Sequence, residues 1–209
     1  MLKDPALLLA SGGLDSTTLA YALAEKNQSI RPLFFDYGQH CVDKEWATLN
    51  SVLPKSPLVG EIIKVNISDI YKFSASRMIL EANPWEEAVS DKELYIPYRT
   101  LMFFTVSACV AQSLNINKVY SAFINSNHAK ELDCSANFLN QLDALSQDVG
   151  PVRFEMPFRD MSKAEVVAAA VRLEVPLGLT YSCQLFSDTP CGACPNCVER
   201  LTAIKTVIG

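Results

Sequence analysis

Two clusters in this chain have the residue types and spacing to do chemistry. The first is Ser11-Gly12-Gly13-Leu14-Asp15-Ser16-Thr17. Its paired glycines free the backbone φ, and hydroxyls and one carboxylate follow at once, where an apolar run gives way to helical spacing. Backbone amides at such a junction can cradle an anion, and the helix dipole adds to the attraction. Mg²⁺ is expected beside bound phosphates, with Asp15 as a ligand directly or through water. A Walker loop needs a longer glycine-spaced turn closing on Gly-Lys-Ser or Gly-Lys-Thr, and no lysine stands at that place, so this is a different phosphate loop. The plainer alternative is a Gly-Gly turn in which Asp15 or Ser16 only caps a helix.

The second cluster is Cys191-Gly192-Ala193-Cys194-Pro195-Asn196-Cys197, with Cys183 upstream of it. Four soft donors so close together suit tetrahedral Zn²⁺, and with all four positions filled by protein the role would be structural. An iron–sulfur cluster uses the same donors, and spacing does not separate the two. Cys41 and Cys109 read as ordinary buried or incidental thiols.

The bulk properties restrict what these clusters serve. The chain has 209 residues, 49% of them hydrophobic, enough for one sizeable core. Its net charge of −5 argues against broad binding to nucleic-acid phosphates. The most apolar stretch, 101–111, is short and contains Thr105 and Ser107, so no membrane span is expected. The first residues carry Asp4 and Pro5 and lack the long apolar region of a secretory signal. A cytoplasmic, reducing compartment follows, and there four crowded cysteines read as metal ligands.

The elements that must position both clusters alternate. Strands fit 6–10, 32–35, 62–67, 118–122 and 152–155, and helices fit 14–27, 44–53, 97–114, 135–147 and 162–173, which predicts an α/β fold: a parallel sheet with helices on both faces. Ser162-Lys163-Ala164-Glu165 is a capping box at the start of the last of these helices. Between Tyr71 and Tyr95 the pattern fails around Pro84 and Trp85, and the segment reads as an irregular insertion of the kind that covers sites. Residues 1–180 are expected to form the nucleotide domain, and 181–209 a C-terminal zinc segment packed on it.

Ser-Gly-Gly-x-Asp-Ser directly after the first strand resembles the PP-loop of the adenine nucleotide alpha hydrolases, a Rossmann-like superfamily that cleaves ATP between the α- and β-phosphates. Further segments resemble the 7-cyano-7-deazaguanine synthase family over nearly the whole chain. These are Asp36-Tyr37-Gly38-Gln39 after the second strand, Ile96-Pro97-Tyr98-Arg99-Thr100 against a family Pro-Gly-Arg-Asn, and Asp133-Cys134 against the end of Tyr-Pro-Asp-Cys-Arg. Ser162-Lys163-Ala164-Glu165 stands against Asn-Lys-Ala-Glu, and the cysteine cluster runs on into Cys197-Val198-Glu199-Arg200 as the family's zinc loop does into an arginine.

That resemblance implies an ATP-dependent carbon–nitrogen ligase of queuosine biosynthesis, acting on a deazaguanine carboxylate and ammonia as a homodimer. The carboxylate attacks the α-phosphate to give an acyl-adenylate and pyrophosphate, ammonia displaces AMP, and a second ATP drives dehydration of the amide to the nitrile. Negative charge that builds on the phosphates needs cations. Arg99, Lys163 and Arg200 are the candidates, each with a plainer reading as a surface charge or, for Arg200, as compensation for an anionic zinc centre. The segment from Ala122 through Asn125 and His128 to Ser135 departs from the family at the substrate pocket, as does Thr100 after Arg99 and His40 after Gln39. His40 and His128 are candidate proton carriers against the plainer reading of polar loop residues. The departures leave two further readings: a paralogue that hands the activated acyl group to another nucleophile such as a protein amine, and a non-catalytic nucleotide-binding scaffold.

Overall fold

The computed structural model describes residues 3–80, 89–124, 135–186 and 188–209. Among these residues five strands, β1 (Lys3–Leu9), β2 (Gln28–Asp36), β3 (Ile63–Asn66), β4 (Lys118–Tyr120) and β5 (Arg153–Glu155), form one sheet ordered β3-β2-β1-β4-β5. All its pairings are parallel. The longer helices are α1 (Leu14–Glu25), α2 (Val42–Val52), α5 (Arg99–Ser113), α6 (Ala136–Val149), α7 (Lys163–Arg172) and α8 (Pro195–Ile208); α3 (Ser68–Tyr71) and α4 (Asp91–Leu94) are single turns.

Alternation along β1 divides the core in two. Leu7 and Leu9 pack with Phe104 of α5 and Leu139 of α6, whereas Leu8 and Ala10 pack with Leu19 of α1, Leu49 of α2 and Val166 of α7. Helices therefore cover both faces, and a strand buried on both sides has no polar face to show, which is why 6–10 is an unbroken apolar run. The chain steps from β1 to β2 to β3 and then returns to the far side of β1 for β4. That reversal leaves a crevice at the carboxyl ends of β1 and β4, where parallel sheets bind their ligands.

β2 is longer than the expected 32–35 because Pro32 lies within it instead of opening it. Ile30 spends its N–H on Leu58 O and its C=O on Gly60 N–H. Pro32, two residues on, faces the same side, one residue short of Leu33, where pairing with β3 begins. Its missing N–H therefore costs no rung of the β3 ladder.

By length and composition one stretch, Lys92–Ser113, is apolar enough to cross a bilayer, with a mean hydropathy of 1.3. It is not one continuous helix. α4 stops at Leu94, and Tyr98 turns the chain in the left-handed region at φ 57° before α5 begins. α5 alone has 15 residues, about 22 Å, short of the ~30 Å hydrocarbon thickness, and Phe104, Ser107 and Ala111 on it are buried against the sheet.

Candidate active site

β1 delivers the chain to a turn of four residues before α1 begins. Gly12 holds φ +79°, and a Cβ there would lie 2.7 Å from Leu49 N and 3.1 Å from Glu45 O, so the loop runs against the backbone of α2. Ser11 N–H donates to Ser16 Oγ at 3.3 Å, Gly13 N–H donates to Ser11 Oγ at 3.3 Å, and Ser16 Oγ donates to Gly13 O at 3.4 Å. From outside the loop, Tyr181 N–H donates to Gly12 O at 3.2 Å. The first intrahelical bond runs from Thr17 N–H to Gly13 O, so the amides of Leu14, Asp15 and Ser16 precede it and head the helix without an intrahelical acceptor.

These residues open on a cavity of about 290 Å³ at the sheet's carboxyl edge. Ser11, Gly13, Leu14, Asp15 and Ser16 line it, with Phe34, Phe35, Phe103 and Phe123 as apolar surface and Lys163, Arg99 and Glu45 as charged surface. Lys163 sits at the first turn of α7, behind the Ser162–Glu165 capping box, in which Glu165 N–H donates to Ser162 Oγ at 3.2 Å and Ser162 N–H donates to Glu165 Oε2 at 2.7 Å. A cation there opposes the helix dipole, and the fold answers with two carboxylates: Asp15 Oδ2 at 2.7 Å and Glu199 Oε2 at 3.3 Å from Lys163 Nζ. Burial presses the Lys163 ammonium toward neutrality, but Asp15 and Glu199 outweigh it and raise its pKa. The other Asp15 oxygen, Oδ1, is buried and accepts no hydrogen bond. Arg99 holds its guanidinium 5.9 Å from the centre of the Tyr37 ring.

Gly12, Thr17 and Arg200 are not among the lining residues. Thr17 is buried with its hydroxyl unpartnered. Arg200 turns onto the segment ahead of the cysteines, donating to Thr180 Oγ1 at 2.6 Å, Leu177 O at 2.6 Å and Ser182 Oγ at 3.3 Å. Burial lowers its pKa against the pull of Cys197 and Asp15. His40, far in sequence from the cysteines, has Nε2 2.8 Å from Gln184 O.

The sulfurs of Cys183, Cys191, Cys194 and Cys197 all lie within 4.8 Å of one another, and Cys183, Cys194 and Cys197 are buried. Backbone N–H groups of Leu185, Phe186 and Cys191 point at Cys183 Sγ at 3.4 to 3.5 Å, and those of Ala193 and Cys194 at Cys191 Sγ at 3.4 and 3.2 Å. Donors aimed at sulfur favour the thiolate form that ligates a metal. The group can hold a metal ion.

Over residues 5–208 the chain matches the family model described as queuosine biosynthesis protein QueC. The chain belongs to that family. Among similar QueC relatives, a 7-cyano-7-deazaguanine synthase of Thermoplasma volcanium is 32% identical over 96% of this chain and 86% of its own length. One of Archaeoglobus fulgidus is 32% identical over 95% and 84%. Among solved structures, a 4-thiouridine synthetase in complex with RNA and bound ATP aligns with a TM-score of 0.51 at 18% identity, over 98% of this chain and 50% of that one. A predicted subunit of tRNA methyltransferase from Methanocaldococcus jannaschii aligns with a TM-score of 0.51 at 15% identity, over 82% and 76%. At such identities the structural likeness is one of fold, and it is the α/β fold expected from the strand and helix alternation.

Against the QueC background, Asp36-Tyr37-Gly38-Gln39 closes β2 toward the cavity: Tyr37 lines it, and Gln39 Nε2 donates to Glu45 Oε2 at 2.9 Å. Asn125 to Cys134, including His128 and Asp133, and the insertion's Pro84 and Trp85 lie outside the described residues. Sequence reasoning passed over Glu45, Tyr181 and Glu199. Glu199 follows a cysteine by two residues, but its partner, Lys163, stands on another helix, and only the fold brings them together.

Proposed function

We propose that this chain is a 7-cyano-7-deazaguanine synthase, converting 7-carboxy-7-deazaguanine and ammonia to the nitrile at the expense of ATP. The observation that carries the reading is the meeting of the Ser11–Ser16 loop, Lys163 and Arg99 on one cavity, in a chain that matches the QueC family from residue 5 to residue 208. The loop amides at the head of α1 suit the departing pyrophosphate. Lys163 and Arg99 suit the charge that develops on the α-phosphate as the substrate carboxylate attacks it. Activation then follows the route the family resemblance implies, through an acyl-adenylate with release of pyrophosphate.

Mg²⁺ fits at Asp15, which lines the cavity and whose Oδ1 is buried without a hydrogen-bond partner. Arg200 serves by position: it holds the 177–182 segment whose Tyr181 amide fixes Gly12. Zn²⁺ suits the four cysteines. A tetrahedron with Zn–S bonds of about 2.3 Å has sulfur–sulfur edges of about 3.8 Å. Cys191 and Cys197 sulfurs stand 4.0 Å apart and all four lie within 4.8 Å. A four-iron cluster spreads its thiolates over separate irons and needs wider spacing. A homodimer in the cytoplasm is the expected setting.

The test is incubation of purified protein with ATP, Mg²⁺, ammonium and 7-carboxy-7-deazaguanine, with AMP, ADP and deazaguanine products followed by mass-resolved chromatography. Nitrile formation supports the reading. AMP and pyrophosphate without amide or nitrile would overturn it in favour of another acceptor.

A further inference from the structure

The cavity holds a second carboxylate besides Asp15. Glu45 lies on α2, and the close approach of Gly12 to the backbone of Glu45 and Leu49 fixes that helix against the phosphate loop. Glu45 lines the same cavity as Ser16, Lys163 and Arg99. Gln39 is buried and fully engaged: Oε1 accepts from Tyr37 N–H at 2.9 Å, and Nε2 donates to Phe35 O at 3.0 Å and to Glu45 Oε2 at 2.9 Å. That clamp gives the Glu45 carboxylate one orientation. The titratable groups that face it are Tyr37 and Cys41 from the segment after β2 and Arg99 from α5. Asp15, the other carboxylate lining the cavity, is held by Lys163 at 2.7 Å.

We propose that Glu45 is the general base of the amine step, taking up the protons that the ammonia-derived nitrogen must lose as the amide forms. The inference rests on the synthase reading above. In neutral water ammonia is present almost entirely as ammonium, which has no lone pair to attack with. Ammonium passes one proton to the Glu45 carboxylate, and the freed lone pair forms the carbon–nitrogen bond at the acyl carbon. The bond from that carbon to the AMP oxygen breaks, and its electron pair leaves on AMP. The nitrogen then sheds a second proton to Glu45, after the first has passed to solvent through the cavity mouth. One ammonium and one acyl-adenylate thus give one amide, one AMP and two protons. Burial raises the Glu45 carboxyl to about 7, while its bonds to Gln39 and Cys41 and the Arg99 charge pull the other way. A group so poised both takes and releases protons near neutral pH.

The test compares Glu45→Gln and Glu45→Asp with the parent chain, using ATP, 7-carboxy-7-deazaguanine and either ammonium or hydroxylamine between about pH 6 and about pH 9. Hydroxylamine is largely uncharged at neutral pH, so it attacks the acyl-adenylate to give a hydroxamate without the first deprotonation that ammonium requires, and only one proton then leaves its nitrogen. Glu45→Gln is expected to lose ammonia-dependent product by about 10²-fold or more at neutral pH, with a far smaller loss of hydroxamate. Its residual ammonia rate should climb with pH as free ammonia accumulates. Glu45→Asp, which keeps a carboxylate, should retain the parent's levelling of rate with pH. Equal loss of both products in Glu45→Gln, or an ammonia rate and pH profile unchanged from the parent, overturns the proposal. A parent chain that makes no hydroxamate overturns the synthase reading itself and the proposal with it.

Discussion

Replacing Gly12 with Ala tests whether the phosphate loop is held in place by the backbone of α2. The new Cβ would stand 2.7 Å from Leu49 N and 3.1 Å from Glu45 O, both main-chain atoms inside a helix that no rotamer change can move aside. Forced backbone shifts of this kind cost about 1–3 kcal/mol. The φ of +79° adds the left-handed penalty for a residue with a Cβ, about 1–2 kcal/mol. The lower entropy of alanine in the unfolded chain returns about 0.4–1 kcal/mol. The net expectation is a loss of about 1–5 kcal/mol, which for a chain of 209 residues lowers Tm by about 2–18 °C. Thermal and denaturant unfolding measure it directly. Gly178→Ala is the internal control, because a Cβ there meets nothing within 4 Å, and it should leave stability almost unchanged. A Gly12→Ala chain as stable as the Gly178→Ala control would refute the clamp. If the clamp holds, Gly12→Ala should also weaken ATP binding, since the loop must shift to admit the methyl group.

Asp15→Ala should abolish release of pyrophosphate while leaving the fold largely intact, because Lys163 keeps Glu199 at 3.3 Å; retained turnover would refute the phosphate-site assignment. If the four cysteines hold Zn²⁺, Cys194→Ser should lower the bound zinc and Tm, measured by metal analysis and thermal melting, since a closed structural site contributes folding free energy; unchanged zinc content and Tm would refute the assignment. Glu45 also predicts a pH dependence of stability. Its carboxyl moves from the ordinary 4.5 to about 7 on folding, so between those values the unfolded chain has released a proton that the folded chain keeps. Stability is therefore highest below the unfolded value and falls as pH rises toward about 7, by up to about 3 kcal/mol at ~1.4 kcal/mol per pH unit. In Glu45→Gln that fall should be absent when denaturant midpoints at about pH 5 and about pH 8 are compared, and parallel declines in the two proteins would sink the argument.

What was legible in the sequence was local. The glycines of the phosphate loop, the Ser162–Glu165 capping box and the crowded cysteines declare themselves within a few residues, because the physics that uses them acts within one turn of chain. β2 extends beyond 32–35 because pairing with β3 begins only at Leu33, so the proline that looks like a strand opening in the sequence sits inside the strand at no cost to the ladder. Glu45 gave no signal, since an acidic residue in the first turn of a helix is ordinary, and its character comes from the loop, α5 and Gln39 packed around it. The sequence shows only the charge of Arg200, whereas its hydrogen bonds are spent on Thr180, Ser182 and Leu177.

That placement of Arg200 argues for a link between the metal group and the phosphate loop. Cys194 caps α8 and Cys197 lies in its first turn, so a metal held by the two would fix where that helix begins. Glu199 and Arg200 follow within the next turn, one reaching Lys163 beside Asp15, the other holding the segment whose Tyr181 amide donates to Gly12 O. Leu14 of α1, Val167 of α7 and Ala203 of α8 pack together beneath these contacts. A helix start that drifted by even one residue would rotate Glu199 by about 100° and carry it away from Lys163, leaving that cation with Asp15 alone. Stripping a metal bound at the four cysteines should therefore be felt at the phosphate loop as well as in the melting temperature.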